Sequence, residues 1–232
     1  MNDSASHALK REDFFLSWYS ENGRDFPWRG PDVKPFQILV TEMLLRQTQA
    51  VQVERLWQDF MNQFGDPKSL AAARDEEVFG LVKELGFGNQ RTNALKLAAS
   101  YVLESHCGEV PSKTKELLNI PHIGIYSAQA VRCFAFEEIV PIVDTNILRL
   151  FCRILGKQIK RPDVRREDWA WSEAESILPE KGDLAVKHNY GLLDFTAQVC
   201  TSRSPVCKSC PLSRNCEYGL VLLEGEKPTS PW

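Results

Sequence analysis

The residues best suited to chemistry lie between Asn119 and Asp144, in the segment NIPHIGIYSAQAVRCFAFEEIVPIVD. A tight turn, Pro121 to Gly124, leads directly into an apolar helix that we predict from Tyr126 to about Phe136. A glycine-containing hairpin that turns backbone N–H groups and a helix N-terminus outward can bind one phosphate group. Asp144 starts the next predicted helix, so a carboxylate follows that phosphate site after one short helix. The segment therefore predicts the centre of an enzyme that acts on nucleic acid.

A second chemical feature is the cysteine-rich run CTSRSPVCKSCPLSRNC near the C-terminus. Its spacing is C-x6-C-x2-C-x5-C, formed by Cys200, Cys207, Cys210 and Cys216. Four thiolates this close together suit either a [4Fe–4S] cluster or a tetrahedral zinc ion. The N-terminus lacks the apolar core of a secretory signal, which disfavours a disulfide framework. The run therefore predicts a metal site, and its spacing alone leaves the metal open.

Helical periodicity predicts the scaffold that must hold these residues. Apolar side chains recur at i, i+3 and i+4 through Val53, Trp57, Phe60 and Phe64, which is typical of a helix that buries one face. The other predicted helices cover residues 14–19, 36–45, 75–85, 90–104, 126–136, 144–155, 167–177 and 184–199. No segment alternates with period two, so we predict an all-α fold.

Composition limits the choice of partner and compartment. The net charge of −3 and the pI near 5.9 give no global basic signature, so DNA binding would need a local basic face. No apolar run approaches the roughly 18–20 residues that a membrane-spanning helix needs. We therefore expect a cytoplasmic protein, which we also predict to be a monomer, and DNA binding would associate it with the nucleoid.

The hairpin, the aspartate about twenty residues after it and the C-x6-C-x2-C-x5-C run occur together. This combination resembles the helix–hairpin–helix DNA glycosylases that carry an iron–sulfur cluster, the superfamily of endonuclease III and the adenine glycosylase. The resemblance runs from about Arg24 to Cys216. It implies two helical lobes: a six-helix barrel with the hairpin at residues 32–140, and a cluster domain built from residues 1–31 and 141–232. It also implies that the metal is a [4Fe–4S] cluster.

The resemblance assigns three residues to catalysis. Asp144 would stabilise the oxocarbenium charge that builds on the sugar as the glycosidic bond breaks. By composition alone Asp144 could equally be an ordinary helix N-cap, and the two roles are compatible. Tyr126 stands where bifunctional relatives have a Schiff-base lysine, so lyase activity should be weak or absent. Glu42, inside an apolar helix, would bind or protonate the departing base.

Further residues are assigned to DNA contact by the same resemblance. Gln47 and the turn that carries Gln90 and Arg91 would fill the gap left by a flipped base and touch the base opposite it. The remaining predicted contacts are those of the hairpin and of the helix after it: His122, Ile123, Gly124, Ile125 and Asn146. His122 stands where the family usually has glycine, and histidine tolerates a left-handed backbone better than most residues.

Two substrate classes fit these motifs. The segments Arg24 to Arg29 and Arg46 to Gln49 resemble the adenine glycosylases. Only sixteen residues follow Cys216, however, which leaves no room for the domain with which those enzymes recognise oxidised guanine. Tyr126 and the segment Val143 to Asn146 are more similar to the enzymes that remove thymine or uracil opposite guanine. We therefore expect a monofunctional mismatch glycosylase acting on double-stranded DNA. A non-catalytic DNA-binding module with this fold is the alternative from another class.

Overall fold

The computed structural model describes residues 14–159 and 163–229. All regular secondary structure within these ranges is helical. Twelve α-helices and five short 3₁₀ helices are present, without a β-strand in the described ranges, which confirms the all-α prediction. The α-helices are α1 (Phe14–Asn22), α2 (Pro35–Leu44), α3 (Ala50–Phe64), α4 (Pro67–Ala72), α5 (Asp75–Val82), α6 (Gly88–His106), α7 (Thr114–Leu117), α8 (Ile125–Phe136), α9 (Thr145–Leu155), α10 (Asp168–Ser176), α11 (Gly182–Gln198) and α12 (Glu217–Leu223). No helix in the described ranges is long and apolar enough to cross a membrane.

The chain divides into two compact units, one of which is the continuous segment Asp25–Glu138. Its core surrounds α3, whose Val53, Trp57, Phe60 and Phe64 are all buried, as the periodicity predicted. The indole of Trp57 donates a hydrogen bond to Thr41 Oγ1 at 2.7 Å, so α2 and α3 are joined by a polar contact as well as by packing.

The segment before α2 belongs to this same unit, because its aromatic side chains are part of the core. Phe26 and Trp28 stack with their ring centroids 4.6 Å apart, and Trp28 lies 6.4 Å from Trp57. Both side chains are only 5% exposed. Residues 25–31 therefore cluster with the barrel, whereas the resemblance grouped them with the cluster domain.

The other unit comprises the described residues of Met1–Arg24 and Ile139–Trp232. Here α1 packs on α11. Phe195 makes T-shaped ring contacts with Phe14, Phe15 and Trp18 at centroid distances of 5.3–5.7 Å. Gly191 permits this approach, because a Cβ atom at that position would lie 2.4 Å from the carbonyl oxygen of Phe15. The close contact explains why glycine stands in the middle of α11.

An ion pair between Arg24 and the buried Asp194 adds to the packing of α1 on α11. Asp194 is completely buried and accepts hydrogen bonds from the backbone N–H of Arg24 at 2.8 Å and from its Nε at 2.7 Å. Arg24 Nη2 also lies 2.7 Å from Oδ1, so two guanidinium nitrogens share that oxygen while Oδ2 accepts the backbone N–H. A buried carboxylate with this many donors avoids the large cost of an unpaired charge.

Three short helices, α4, α7 and α12, were not predicted from the sequence, and α7 has only four residues. Asp66 caps α4, accepting from the N–H groups of Lys68 and Ser69 at 3.0 Å, and the helix ends after six residues. Helix α12 follows Cys216 directly and has seven residues. Segments of one or two turns carry too few periodic positions for the 3.6-residue pattern to be recognised.

Candidate active site

One pocket in the unit Asp25–Glu138 brings together four of the predicted DNA contacts. Gln47 comes from the loop between α2 and α3, Gln90 and Arg91 from α6, and His122 from the hairpin before α8. The full lining is Met43, Arg46, Gln47, Phe87, Gln90, Arg91, Ala94, Leu95 and His122. Amide, imidazole, guanidinium and aromatic groups around one opening are suited to an unstacked nucleobase, which needs both hydrogen bonds and a stacking surface.

The backbone around this pocket is unusually constrained. Five described non-glycine residues have positive φ, and three of them line the pocket: Gln47 at 55°, Phe87 at 55° and His122 at 65°. The other two, Cys107 and Glu137, end helices α6 and α8, where left-handed residues are common. Left-handed non-glycine residues away from helix ends cost free energy and are often found at functional sites.

Gln90 and Arg91 lie in α6, as the predicted helix 90–104 indicated, and not on the turn to which the resemblance assigned them. Phe87 is the N-cap of α6 and its carbonyl accepts the N–H of Arg91 at 2.9 Å, so the helix already begins at Gly88. The left-handed conformation of Phe87 makes this early start possible. Arg91 is also only 8% exposed, and its guanidinium is directed into the protein.

The hairpin before α8 is a tight turn closed by a backbone hydrogen bond. The N–H of Ile123 donates to the carbonyl of Ile120 at 3.1 Å, and His122 at the turn adopts the left-handed conformation that the sequence allowed. The side chain of Ile123 is buried and anchors the turn, whereas Gly124 is exposed and is the N-cap of α8. The N–H groups of Ile125 and its neighbours in the first turn of α8 are thus free of intrahelical partners, as at any helix start.

Glu42 and Tyr126 both belong to the same unit as this hairpin. Glu42 is 6% exposed on α2, among buried apolar residues of that helix. Tyr126 is the second residue of α8 and is half-buried.

Asp144 lies in the other unit and caps α9. Its Oδ1 accepts hydrogen bonds from the backbone N–H groups of Asn146 at 2.9 Å and Ile147 at 2.7 Å. Its Oδ2 accepts one from Nδ2 of Asn146 at 2.7 Å. The predicted N-cap geometry is therefore present, and both carboxylate oxygens are held in place.

The pKa of Asp144 is shifted in the opposite direction from what the helix start alone would give. Burial raises the pKa of Asp144 above its ordinary value, and this outweighs the hydrogen bonds from Ile147 and Asn146 and the nearby positive charge of Arg149, which lower it. The helix N-terminus was expected to keep the carboxylate ionised. The net shift instead brings its titration closer to neutral pH, where a carboxylate is a better base.

The four cysteines of the C-terminal run line one apolar cavity. Cys200, Cys207, Cys210 and Cys216 surround it, together with the apolar side chains of Leu150, Ile154, Phe195 and Leu212. No cysteine of the chain forms a disulfide. In the described ranges, no group of three or more His, Cys, Asp or Glu side chains is arranged to hold a single metal ion.

Arg153 connects these cysteines to α9. Its Nη1 donates to Cys200 Sγ at 3.3 Å, and its carbonyl oxygen accepts from Cys216 Sγ at 3.3 Å. Burial raises the pKa of Cys210 to about 11 and that of Cys216 to about 12. These thiols are therefore protonated near neutral pH unless a cation displaces their protons.

Sequence reasoning missed Phe87 and Arg46 as members of the pocket. Phe87 is 63% exposed, which is unusual for a large aromatic side chain, and Arg46 Nη1 donates to the carbonyl of His122 at 3.0 Å. The only available signal was an aromatic residue between two glycines, Gly86 and Gly88. That pattern indicates a turn but not the direction of the ring.

Comparisons with known proteins bear on what this arrangement does. Residues 40–173, more than half of the chain, match the family of HhH-GPD superfamily base excision DNA repair proteins. The chain is 36% identical over 212 residues to a thymine-DNA glycosylase of Aeropyrum pernix, covering 91% of this chain and 94% of that one. It is 34% identical to a thymine/uracil-DNA glycosylase of Pyrobaculum aerophilum, covering 89% and 90%.

Two further similarities complete the comparison. An adenine DNA glycosylase of Mycobacterium tuberculosis is 35% identical over 199 residues, which cover 85% of this chain and 64% of that one. The solved structure of a thermostable thymine-DNA glycosylase superposes with a TM-score of 0.84 at 32% identity, covering 93% of this chain and 99% of that one.

Proposed function

Since the chain belongs to the HhH-GPD superfamily of base excision DNA repair proteins, we propose that it is a monofunctional DNA glycosylase that removes thymine or uracil opposite guanine. The observation that carries this proposal is the agreement of sequence and fold with one class of relative. Two thymine or thymine/uracil glycosylases match 89–91% of the chain, and a thymine-DNA glycosylase structure has the same fold.

Hydrolysis without strand cleavage is supported by Tyr126. Lyase chemistry needs a primary amine that forms an imine with C1′ of the deoxyribose, and a phenol cannot do this. Water is therefore the nucleophile, and the product is an intact abasic site.

Asp144 supplies the electrostatic part of the reaction. As the bond between C1′ and the base breaks, positive charge develops on the sugar, and an ionised carboxylate stabilises it. The three hydrogen bonds from Asn146 and Ile147 hold that carboxylate in one orientation before the substrate arrives. Because burial raises the pKa of Asp144, the same group is also a competent base for the attacking water.

Glu42 is proposed to act on the leaving base. A buried acid among apolar residues can donate a proton or hydrogen bond to a base that leaves as an anion. The hairpin residues His122, Gly124 and Ile125 are proposed to bind a backbone phosphate, with exposed N–H groups at the start of α8 as donors.

The cysteine cavity is proposed to hold a [4Fe–4S] cluster. The donor set fits, because four thiols surround one apolar cavity and each can bind a different iron. When bound, the cluster would supply four iron–thiolate bonds that cross-link residues 200–216. The exposed Arg203 and Lys208 on this loop are then held as basic groups for DNA.

Adenine opposite guanine is the second candidate substrate, supported by the 35% identity to the mycobacterial adenine glycosylase. A panel of duplexes tests both candidates: T, U or A opposite G, and A opposite oxidised G, each incubated with excess protein and then cleaved by alkali. Base release from T·G and U·G supports the proposal, whereas release from the adenine duplexes alone supports the second candidate. Binding without any release would mean that the chain is a DNA-binding module.

A further inference from the structure

The buried side chain of Arg91 makes hydrogen bonds behind the pocket that Gln47, Phe87 and His122 line. The guanidinium of Arg91 donates five hydrogen bonds. Nη1 donates to the carbonyls of Met43 at 2.8 Å and Leu44 at 3.0 Å. Nη2 donates to the carbonyl of Arg46 at 3.2 Å and to Thr48 Oγ1 at 2.9 Å, and Nε donates to the carbonyl of Gly86 at 3.4 Å. All five acceptors are neutral oxygens. Burial, and secondarily the charge of Arg46, lowers the pKa of Arg91.

These acceptors belong to two separate segments of the chain. Met43 and Leu44 carry carbonyls at the C-terminal end of α2, where the helix has unsatisfied acceptors and partial negative charge. Arg46 and Thr48 flank Gln47 in the following loop, and Gly86 precedes Phe87 at the start of α6. One guanidinium therefore binds the backbone before Gln47, the side chain of Thr48 after it, and the backbone directly before Phe87.

A second arginine extends the same network to the hairpin. The loop residue Arg46, whose carbonyl is bound by Arg91, donates from Nη1 to the carbonyl of His122 at 3.0 Å. Thr48 Oγ1 lies 3.3 Å from the carbonyl of Leu85, which joins the loop to the segment before α6 a second time. All three left-handed residues of the pocket are thus connected through hydrogen bonds.

We propose that Arg91 is a positioning residue, which holds Gln47 and Phe87 at a fixed separation so that together they recognise the base opposite the excised one. This inference rests on the proposed function and goes beyond it. The exposed ring of Phe87 is carried by a backbone fixed in the left-handed region, so its stacking surface is already oriented before a base binds. The side-chain amide of Gln47 supplies hydrogen bonds to a base edge. Arg91 itself does not contact DNA, because it is buried and its donors are engaged.

The experiment is a double-mutant cycle measured on opposite-base discrimination, the ratio of single-turnover rates on U·G and U·A duplexes. Arg91→Lys keeps the charge but not the fork, and it should lower the ratio about tenfold, the effect of losing a hydrogen bond or two to a charged group. Gln47→Ala should lower it similarly. If Arg91 acts in part through Gln47, the loss in the double variant should be clearly smaller than the product of the two single losses.

Two further variants keep the result interpretable. Thr48→Val removes one acceptor of Arg91 with little change in volume, and should lower the ratio in the same direction even if Arg91→Lys folds poorly. Arg74→Lys is the matched control, because Arg74 is exposed and pairs with Glu77 on the surface. It should leave the ratio unchanged.

Three results would overturn the inference. One is an unchanged ratio in folded Arg91→Lys and Thr48→Val, with both rates lowered equally. Another is a full multiplication of the two effects in the double variant. The third applies if wild-type protein releases no base at all, so that the proposed function fails. The same variants are then compared by the ratio of their Kd values for T·G and T·A duplexes. A Kd ratio that Arg91→Lys leaves unchanged would refute the positioning role.

Discussion

The side-chain amide of Asn146 donates a hydrogen bond from Nδ2 to Oδ2 of Asp144 at 2.7 Å, and its Oδ1 accepts one from Nη1 of Arg149 at 2.8 Å. Arg149 donates in turn from Nη2 to the carbonyl oxygen of Cys200 at 2.9 Å. Hydrogen bonds therefore run without interruption from the proposed catalytic carboxylate to the first cysteine of the cysteine-rich run. Asn146, which is also predicted to contact DNA, orients Asp144 in this structure.

Asn146→Ala should move the acid limb of the pH–rate profile to higher pH. The hydrogen bonds from Asn146 lower the pKa of Asp144 against the larger effect of burial, so removing the side-chain donor leaves the pKa higher still. Because the ionised form is the active one, the single-turnover rate should fall at acidic pH and recover as the pH rises, with the midpoint shifted to higher pH than in wild type. Asn93→Ala, an exposed change on α6, is the control. An unshifted limb would mean that this bond does not affect the carboxylate.

Asp144→Asn should separate catalysis from binding. The amide oxygen can still accept the N–H groups of Asn146 and Ile147, so the cap and the thermal midpoint should change little. Loss of the negative charge should lower the single-turnover rate by about two to three decades, or roughly 3–4 kcal/mol. DNA affinity, measured by fluorescence anisotropy, should hold or rise because a charge near the phosphate backbone is gone. Retained turnover would remove Asp144 from the mechanism and direct attention to Glu42.

Gly124→Ala should weaken DNA binding without harming the fold. Gly124 has φ −103° and ψ 178°, which any residue adopts, and a Cβ atom there would meet no protein atom within 4 Å. The methyl group would instead occupy the space in which a phosphate approaches the first N–H groups of α8, so we expect Kd to rise about tenfold. Gly80→Ala is a matched control, since its Cβ also has open space. Equal affinity for both variants would argue against a phosphate at the hairpin.

Much of this arrangement could be predicted from local patterns, because local interactions produce it. The stripe Val53 to Phe64 follows from helical periodicity, and the cap at Asp144 from the preference of aspartate for helix starts. The left-handed conformations of Gln47 and Phe87 could not be predicted in this way. The carbonyl of Arg46, next to Gln47, is bound by Arg91 more than forty residues later, and local patterns did not indicate that the Arg91 side chain is buried. Burial of a charged side chain is decided by acceptors that other segments supply.

Cys207→Ser should abolish the metal centre and lower stability. Wild-type protein should be yellow-brown, with broad absorption at about 400 nm and about four irons per chain. The serine variant should lose most of this iron, and its thermal midpoint should fall because the loop 200–216 loses its cross-link. Cys107→Ser is the matched control, since Cys107 is exposed and lies outside the run. Zinc in folded, active, colourless protein would contradict the cluster.

The last prediction concerns His188, a buried residue of α11 that has no role in the proposed reaction. Its side chain is 3% exposed and its ring meets Phe15 edge-on at 5.5 Å. Neither ring nitrogen has a hydrogen-bond partner among the described residues. Burial lowers the pKa of His188 from 6.5 to about 4. The folded protein therefore keeps this imidazole neutral at pH values where an exposed histidine is already charged.

Unfolding should consequently become easier as the pH falls through this window. Above pH 6.5 His188 is neutral in both the folded and the unfolded state, so its titration does not change the free energy of unfolding. Between pH 6.5 and 4 the unfolded chain binds a proton at His188 that the folded chain does not bind. The free energy of unfolding should drop by up to about 3 kcal/mol between pH 6.5 and 4. His188→Leu, of similar volume, should remove that slope in urea titrations at pH 7 and pH 5, and it should not lower stability at pH 7, because it replaces a polar group without partners. His106→Gln, at the end of α6, should keep the slope. If His188→Leu and wild type lost stability equally between the two pH values, protonation of His188 would not be linked to unfolding, and other groups would account for the sensitivity to acid.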